Sequence, residues 1–212
     1  MNQRETTAAE HDAAPRQSTA GALYLAGGIG FWITVTIAEA IYSGYSVRTN
    51  MLSDLGAVGT STGVFFDAAV FASNLLWVIA AFLFFSRPRR LLIGKLLLPV
   101  GLLLAASSPE NVYLPVHIAG ALFAFVGGAA ATLYDVKLVK SRLRYFALFL
   151  GMLSAISVVV LFRGYTSGIA SQTLGTGGWE NLILFPLIIW YMVIGASLMS
   201  NGKPLFSLNP AQ

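Results

Sequence analysis

Six nearly uninterrupted apolar runs, at residues 21–42, 62–85, 91–107, 114–134, 145–162 and 181–199, constrain this chain more than any other feature of it. Each approaches the roughly 20 residues a helix needs to cross the hydrocarbon of a bilayer, where no water is present to satisfy a bare peptide group. A membrane β-barrel would instead alternate apolar and polar residues, and runs such as 96–106 (LLLPVGLLLAA) and 184–198 (LFPLIIWYMVIGASL) do not alternate. The pattern predicts an all-α fold, a six-helix transmembrane bundle over residues 21–200. A disordered tail, 1–20, precedes it and a short C-terminal tail, 201–212, follows.

Charge sets the expected orientation. Only 10% of the residues are charged, against about 25% in a typical soluble domain. Arg4 and Arg16 precede the first run, Arg87, Arg89, Arg90 and Lys95 surround the second connection, Lys137, Lys140, Arg142 and Arg144 fill the fourth, and Lys203 follows the last. Under the positive-inside rule these connections are cytoplasmic, as are both termini, in a multi-pass protein of the cell membrane. The other side carries Arg48 and Arg163 with Glu39, Asp54, Asp67, Glu110 and Glu180. Basic residues that flank spans suit anionic lipid headgroups. They do not form the basic surface with interleaved aromatics that nucleic acid requires, and no nucleic-acid partner is expected. A signal peptide ending near Ala38-Glu39-Ala40 is a rival interpretation of the first run, which is too long for one.

Gly27, Gly28 and Gly30, and Gly127, Gly128 and Ala129 to Ala131, are small-residue faces suited to close helix contacts, either within the bundle or in a homo-oligomer. Pro99 and Pro186 lie inside runs, where a missing amide donor favours a kink. The cytoplasmic halves of the runs are almost purely apolar. A transporter with a continuous polar path therefore ranks last among the candidate functions.

Any chemistry belongs to the opposite face. Its first connection is rich in hydrogen-bonding groups and contains Asn50, Ser53 and Asp54 ahead of Gly56. Ser53 or Asp54 is expected to cap a short interfacial helix that Gly56 ends with a positive φ. Ser108, Pro109 and Glu110 are expected to start the fourth helix as N-cap, first position and first-turn acid, with His117 about two turns on. Arg163 closes the fifth run and Glu180 opens the sixth. Asp67, Glu110 and Glu180 each suit the positive end of a helix dipole. The alternative is that Asn50, Ser53, Asp54, Asp67, Glu110, His117, Arg163 and Glu180 converge on one polar pocket. The chain has no cysteine and none of the familiar hydrolase, zinc-protease or nucleotide-binding motifs, so no metal or cofactor is expected.

The segments Asn50-Met51-Leu52-Ser53-Asp54-Leu55-Gly56, Ser108-Pro109-Glu110 with His117, and Trp179-Glu180-Asn181 leading into residues 182–190 resemble a prokaryotic multi-pass membrane family, domain of unknown function 998. The resemblance covers roughly residues 21–199. Its members usually carry a Pro-Glu followed by a His and a Glu opening the last span, which Glu110, His117 and Glu180 match. Many have an Arg where this chain has Asn181. The Ser-Asp-x-Gly element is also similar to one in six-span proteins of the damage-regulated autophagy modulator group. Neither resemblance implies a reaction.

The expected function is binding of a membrane lipid headgroup or small amphiphile at Asn50, Ser53, Asp54, Glu110, His117, Arg163 and Glu180. The enzymatic alternative is a membrane-embedded hydrolase or transferase acting on a lipid-linked substrate. In it His117 is the general base, and Asp54 or Glu110 orients it or holds a metal.

Overall fold

Helices satisfy every interior backbone group within one segment, and the apolar runs take that solution. The computed structural model describes residues 3–85, 89–139, 141–200 and 205–206, with side chains from residue 15 onward except 165–167. Among the described residues the helices are α1 (Gln3–Ile41), α2 (Gly63–Phe84), α3 (Arg89–Ala106), α4 (Glu110–Asp135), α5 (Leu143–Ser167), α6 (Ile169–Gln172) and α7 (Thr176–Met199), with a 3-10 turn at Ser53–Gly56. The β-structure described is a single bridge between Val139 and Phe206.

Among the described residues, five segments are long and apolar enough to cross a membrane: Pro15–Ile41, Gly63–Phe84, Glu110–Asp135, Leu143–Gly164 and Thr176–Met199. The expected third span is helical too, and the 18 residues of α3 extend about 27 Å. It carries Arg89, Arg90 and Lys95, so composition alone does not mark it as a span. At the other extreme, α1 starts at Gln3, inside the segment expected to be a tail. Gln17 there donates to the Leu198 carbonyl of α7 at 3.2 Å.

Successive long helices pack side by side, α5 packs on α7, and α7 returns to α1, which closes a ring. Within its most apolar stretch 56% of α7 is buried against 33% for α5, so α7 is the most enclosed span of the ring. Trp190, Ile183, Leu187, Ile188 and Ile194 of α7 are fully enclosed. Large apolar side chains instead cover the perimeter. Ile29, Ile33, Ile37 and Ile41 line one exposed face of α1 at four-residue spacing, and Val64 is 88% exposed. Such a belt is a liability in water and a requirement in lipid.

The small-residue faces are used within the chain. A side chain at Gly27 would meet Trp77 and Ser73, and one at Gly128 would meet Leu187 and Leu98. Gly101 and Gly120, not singled out from the sequence, let α3 and α4 touch backbone to backbone: a Cβ on Gly101 would lie 2.6 Å from the Gly120 carbonyl oxygen. The interior break also falls elsewhere than expected. Pro99 and Pro186 sit inside α3 and α7, while the non-helical residue is Tyr113 in α4 (φ −127°, ψ 50°), two residues before Pro115. Proline removes the amide that would bond the carbonyl four residues back, and it disfavours helical geometry in the residue preceding it.

The half of the bundle expected to be purely apolar contains a buried ion pair. Lys95, grouped from the sequence with the solvent-facing basic residues, is only 1% exposed and pairs with Asp135, exposed to the same 1%. Trp190 Nε1 donates to the same Asp135 oxygen at 2.7 Å, and the Tyr191 hydroxyl donates to the Lys95 carbonyl at 2.9 Å. The Lys95 ammonium lies 5.8 Å from the Phe85 ring centroid and 5.4 Å from that of Phe206. Leu205 and Phe206, assigned from the sequence to a tail, are buried here. Lys95 closes the second turn of α3 and Asp135 ends α4, so antiparallel packing brings them together.

Breaking one member of a buried pair leaves an uncompensated charge. Lys95→Met is therefore expected to destabilise the bundle by about 3–5 kcal/mol. Lys95→Met combined with Asp135→Leu should recover part of that loss, as equilibrium unfolding in bicelles measures.

Candidate functional site

The polar residues of the motif segments gather at the end of the bundle where α1, α3 and α5 finish and α2, α4 and α7 begin. The chain between α1 and α2 folds down onto the start of α7. Two glycines make this approach possible: a Cβ at Gly175 would collide with the Arg48 carbonyl, and one at Gly177 with the Asn50 carbonyl. Gly175 also has φ +85°, a conformation that favours glycine. Seated in this way, the connection offers the amide of Leu52 to the Glu180 carboxylate.

This contact replaces the cap expected from the sequence. Ser53–Gly56 forms a short 3-10 helix, and neither Ser53 nor Asp54 caps it. A carboxylate from 128 residues away receives the amide at its start instead. Asp54 Oδ2 accepts from Asn50 Nδ2 at 2.9 Å and from the Met51 amide at 3.0 Å, which locks the preceding turn. The positive-φ glycines are Gly44, Gly59, Gly168 and Gly175, so Gly56 does not end the turn in the expected way. Its need is steric, because a Cβ there would strike the Asp67 carboxylate.

The start of α4 also departs from expectation. Pro109 takes the N-cap position with ψ 135°, and the helix begins at Glu110 without a side-chain cap. The Ser108 hydroxyl donates backward to the Leu104 carbonyl and so closes α3 instead of opening α4. Asn111, named in the sequence only as part of the connection, receives the Val58 amide at 3.0 Å and donates to the Val58 carbonyl at 2.9 Å. It pins the second half of the long connection to α4.

His117 follows the break at Tyr113. Its Nδ1 lies 3.0 Å from the Ser108 carbonyl oxygen and 3.2 Å from that of Ala105. Both partners only accept, so Nδ1 carries the hydrogen, and in the neutral ring Nε2 is left as an acceptor. The hydrogen bonds of His117 thus run to backbone carbonyls and not to a carboxylate.

Ser53, Glu110, His117 and Glu180 share the wall of one cavity of about 390 Å³ with Leu114, Ile118, Ala121, Phe125, Leu161 and Phe162. A narrower space of about 50 Å³ continues from His117, Ser53 and Glu180 to Asp67. Asp54 and Glu110 face a separate polar recess of about 290 Å³. Asp54 and Ser53 both contact the Glu110 side chain, and Glu110 and Asp54 lie within electrostatic range of Glu180. Asn50 supports Asp54 from behind. Arg163 is exposed on α5 and is not among the residues lining these cavities. Among the described residues, no group of three or more His, Asp and Glu side chains is arranged to hold a metal ion.

Tyr45 joins this neighbourhood from the long connection. Burial raises its phenol pKa above the ordinary value, and the charges of Glu39, Glu180 and Asp54 add to the effect. Its aromatic ring gave no sequence sign of this role beyond interfacial position.

Five long apolar helices, with large apolar side chains exposed around their perimeter, define a multi-pass α-helical membrane protein. The model of one family, Protein of unknown function (DUF998), matches residues 25–197, and the chain belongs to that family. No curated protein and no solved structure matches it.

If Glu180 seats the connection, Glu180→Ala should orphan the Leu52 amide at a cost of about 1–3 kcal/mol. Glu180→Gln, which keeps an acceptor, should lose less. Gly177→Ala should detach the connection more completely, seen as faster amide exchange across residues 46–56 while the helices stay protected.

Proposed function

We propose that this chain crosses the cell membrane six times with both termini in the cytoplasm, and that its outward-facing pocket binds a lipid headgroup or another small amphiphile. The supporting observation is the cavity of about 390 Å³, which has Ser53, Glu110, His117 and Glu180 as its polar part and Leu114, Ile118, Phe125 and Leu161 among its apolar part. Its volume is in the range of small-molecule sites. An amphiphile has that same division between head and tail. Counting α3 as the sixth span fits its length, and the buried pairing of Lys95 with Asp135 removes one charge from its lipid-facing composition.

The orientation rests on charge. Arg89, Arg90, Lys137, Arg142 and Arg144 belong to the end remote from the cavity, and the cluster of acids to the cavity end. The membrane-embedded hydrolase or transferase is the second candidate, favoured by an imidazole whose tautomer is fixed by backbone carbonyls. It ranks below binding because its base needs an orienting acid and the Nδ1 partners are carbonyls.

The chain contains no cysteine, so single cysteines report topology without background. Val58→Cys should react with an impermeant maleimide on intact cells, and Ser141→Cys should react only after permeabilisation. Protein purified in mild detergent should carry an amphiphile detectable by mass spectrometry. Ala121→Phe, which fills the cavity wall, should reduce that amphiphile at least fivefold while leaving the helical content unchanged.

A further inference from the structure

The polar end of the cavity is built almost wholly from acceptors. Glu110 and Glu180 contribute carboxyl oxygens, and Nε2 of His117 is an acceptor because Nδ1 has given its hydrogen to two carbonyls. Lys and Arg are absent from its wall, which consists of Met51, Ser53, Glu110, Leu114, His117, Ile118, Ala121, Phe125, Leu161, Phe162 and Glu180.

The helix N-termini at this end would ordinarily attract an anion. Here Glu110 is the first residue of α4 and takes its favourable position, while Glu180, in the second turn of α7, accepts from the Leu52 amide beside the start of that helix. A phosphate or carboxylate entering the cavity would face carboxyl oxygens and no Lys or Arg side chain. An ammonium would find two carboxyls, an imidazole nitrogen and the Ser53 hydroxyl as acceptors for its three hydrogens. The remaining lining is apolar and accepts a hydrocarbon chain.

We infer that the amphiphile this cavity selects is a single-chain primary amine, with its ammonium among Glu110, Glu180 and His117 and its chain along Leu114, Ile118, Phe125 and Leu161. The assignment rests on the pocket being an amphiphile site and adds the chemistry of the head. Charge at the head, more than chain length, sets the preference.

Dodecylamine, dodecanol and dodecyl phosphate share one chain and differ in the head, so titrating each against the full chain in nonionic detergent, read by native mass spectrometry, isolates that term. Dodecylamine should bind at least tenfold more tightly than dodecyl phosphate, with dodecanol between them. Glu110→Gln, which leaves the Glu180 anchor intact, should shrink the amine preference at least fivefold with little effect on dodecanol. Ala121→Phe should weaken all three. Phosphate binding as tight as amine, or an unchanged preference in Glu110→Gln, overturns the amine assignment and leaves the amphiphile site standing. Failure of all three probes to bind, or binding that Ala121→Phe leaves untouched, overturns the site and the assignment together.

Discussion

The meeting of the Glu180 carboxylate with the backbone amide of Leu52 is the contact on which the cavity end of the bundle depends. A chain segment that folds over the end of a helical bundle must satisfy its own amides or remain in water. Glu180 satisfies that of Leu52 from inside α7, the most buried of the apolar spans. The connection can therefore lie close enough to the helix ends to form a wall of the cavity. Gly175 and Gly177 make the approach sterically possible, Asp54 shapes the turn before it, and Asn111 holds the stretch after it. Each of these residues acts mainly on backbone, which explains why so polar a segment packs against an apolar bundle.

The two ends of the molecule treat buried charge differently. At the remote end Lys95 and Asp135 compensate each other, Trp190 donates to the same carboxylate, and the rings of Phe85 and Phe206 enclose the ammonium. That cluster is closed: acid and base answer one another. At the cavity end Asp54, Asp67, Glu110 and Glu180 are collected without a Lys or Arg in the cavity wall, and two of their contacts are backbone amides. A closed pair suits a structural tie between α3, α4 and α7. An excess of acceptors around open space suits a ligand that donates.

Helix geometry at the cavity follows from the break at Tyr113. Pro115 interrupts the backbone ladder of α4 one turn before the helix meets α3 across Gly101 and Gly120. The first turn of α4 is thereby free to carry Glu110 toward Ser53, while the body of the helix keeps His117 against the end of α3. The lining side chains of α4, from Glu110 to Phe125, span both sides of this break.

The length and continuity of the apolar runs alone established the helical class, the membrane setting and the approximate helix limits, because oil leaves a backbone few alternatives. Glu110, His117 and Glu180 were legible as well, since ionisable groups at the edge of apolar runs stand out by composition. What the sequence left open was every contact between distant segments. Lys95 read as one more flanking cation because its partner, Asp135, ends a different helix 40 residues away. Gly56 read as a turn residue because the carboxylate that forbids a side chain there belongs to α2. Ser108 read as the cap of the helix that follows it, and it closes the one before. Local pattern records where the chain must enter and leave the membrane. Only packing decides which polar groups meet, since that depends on helix rotation and register that no single segment encodes.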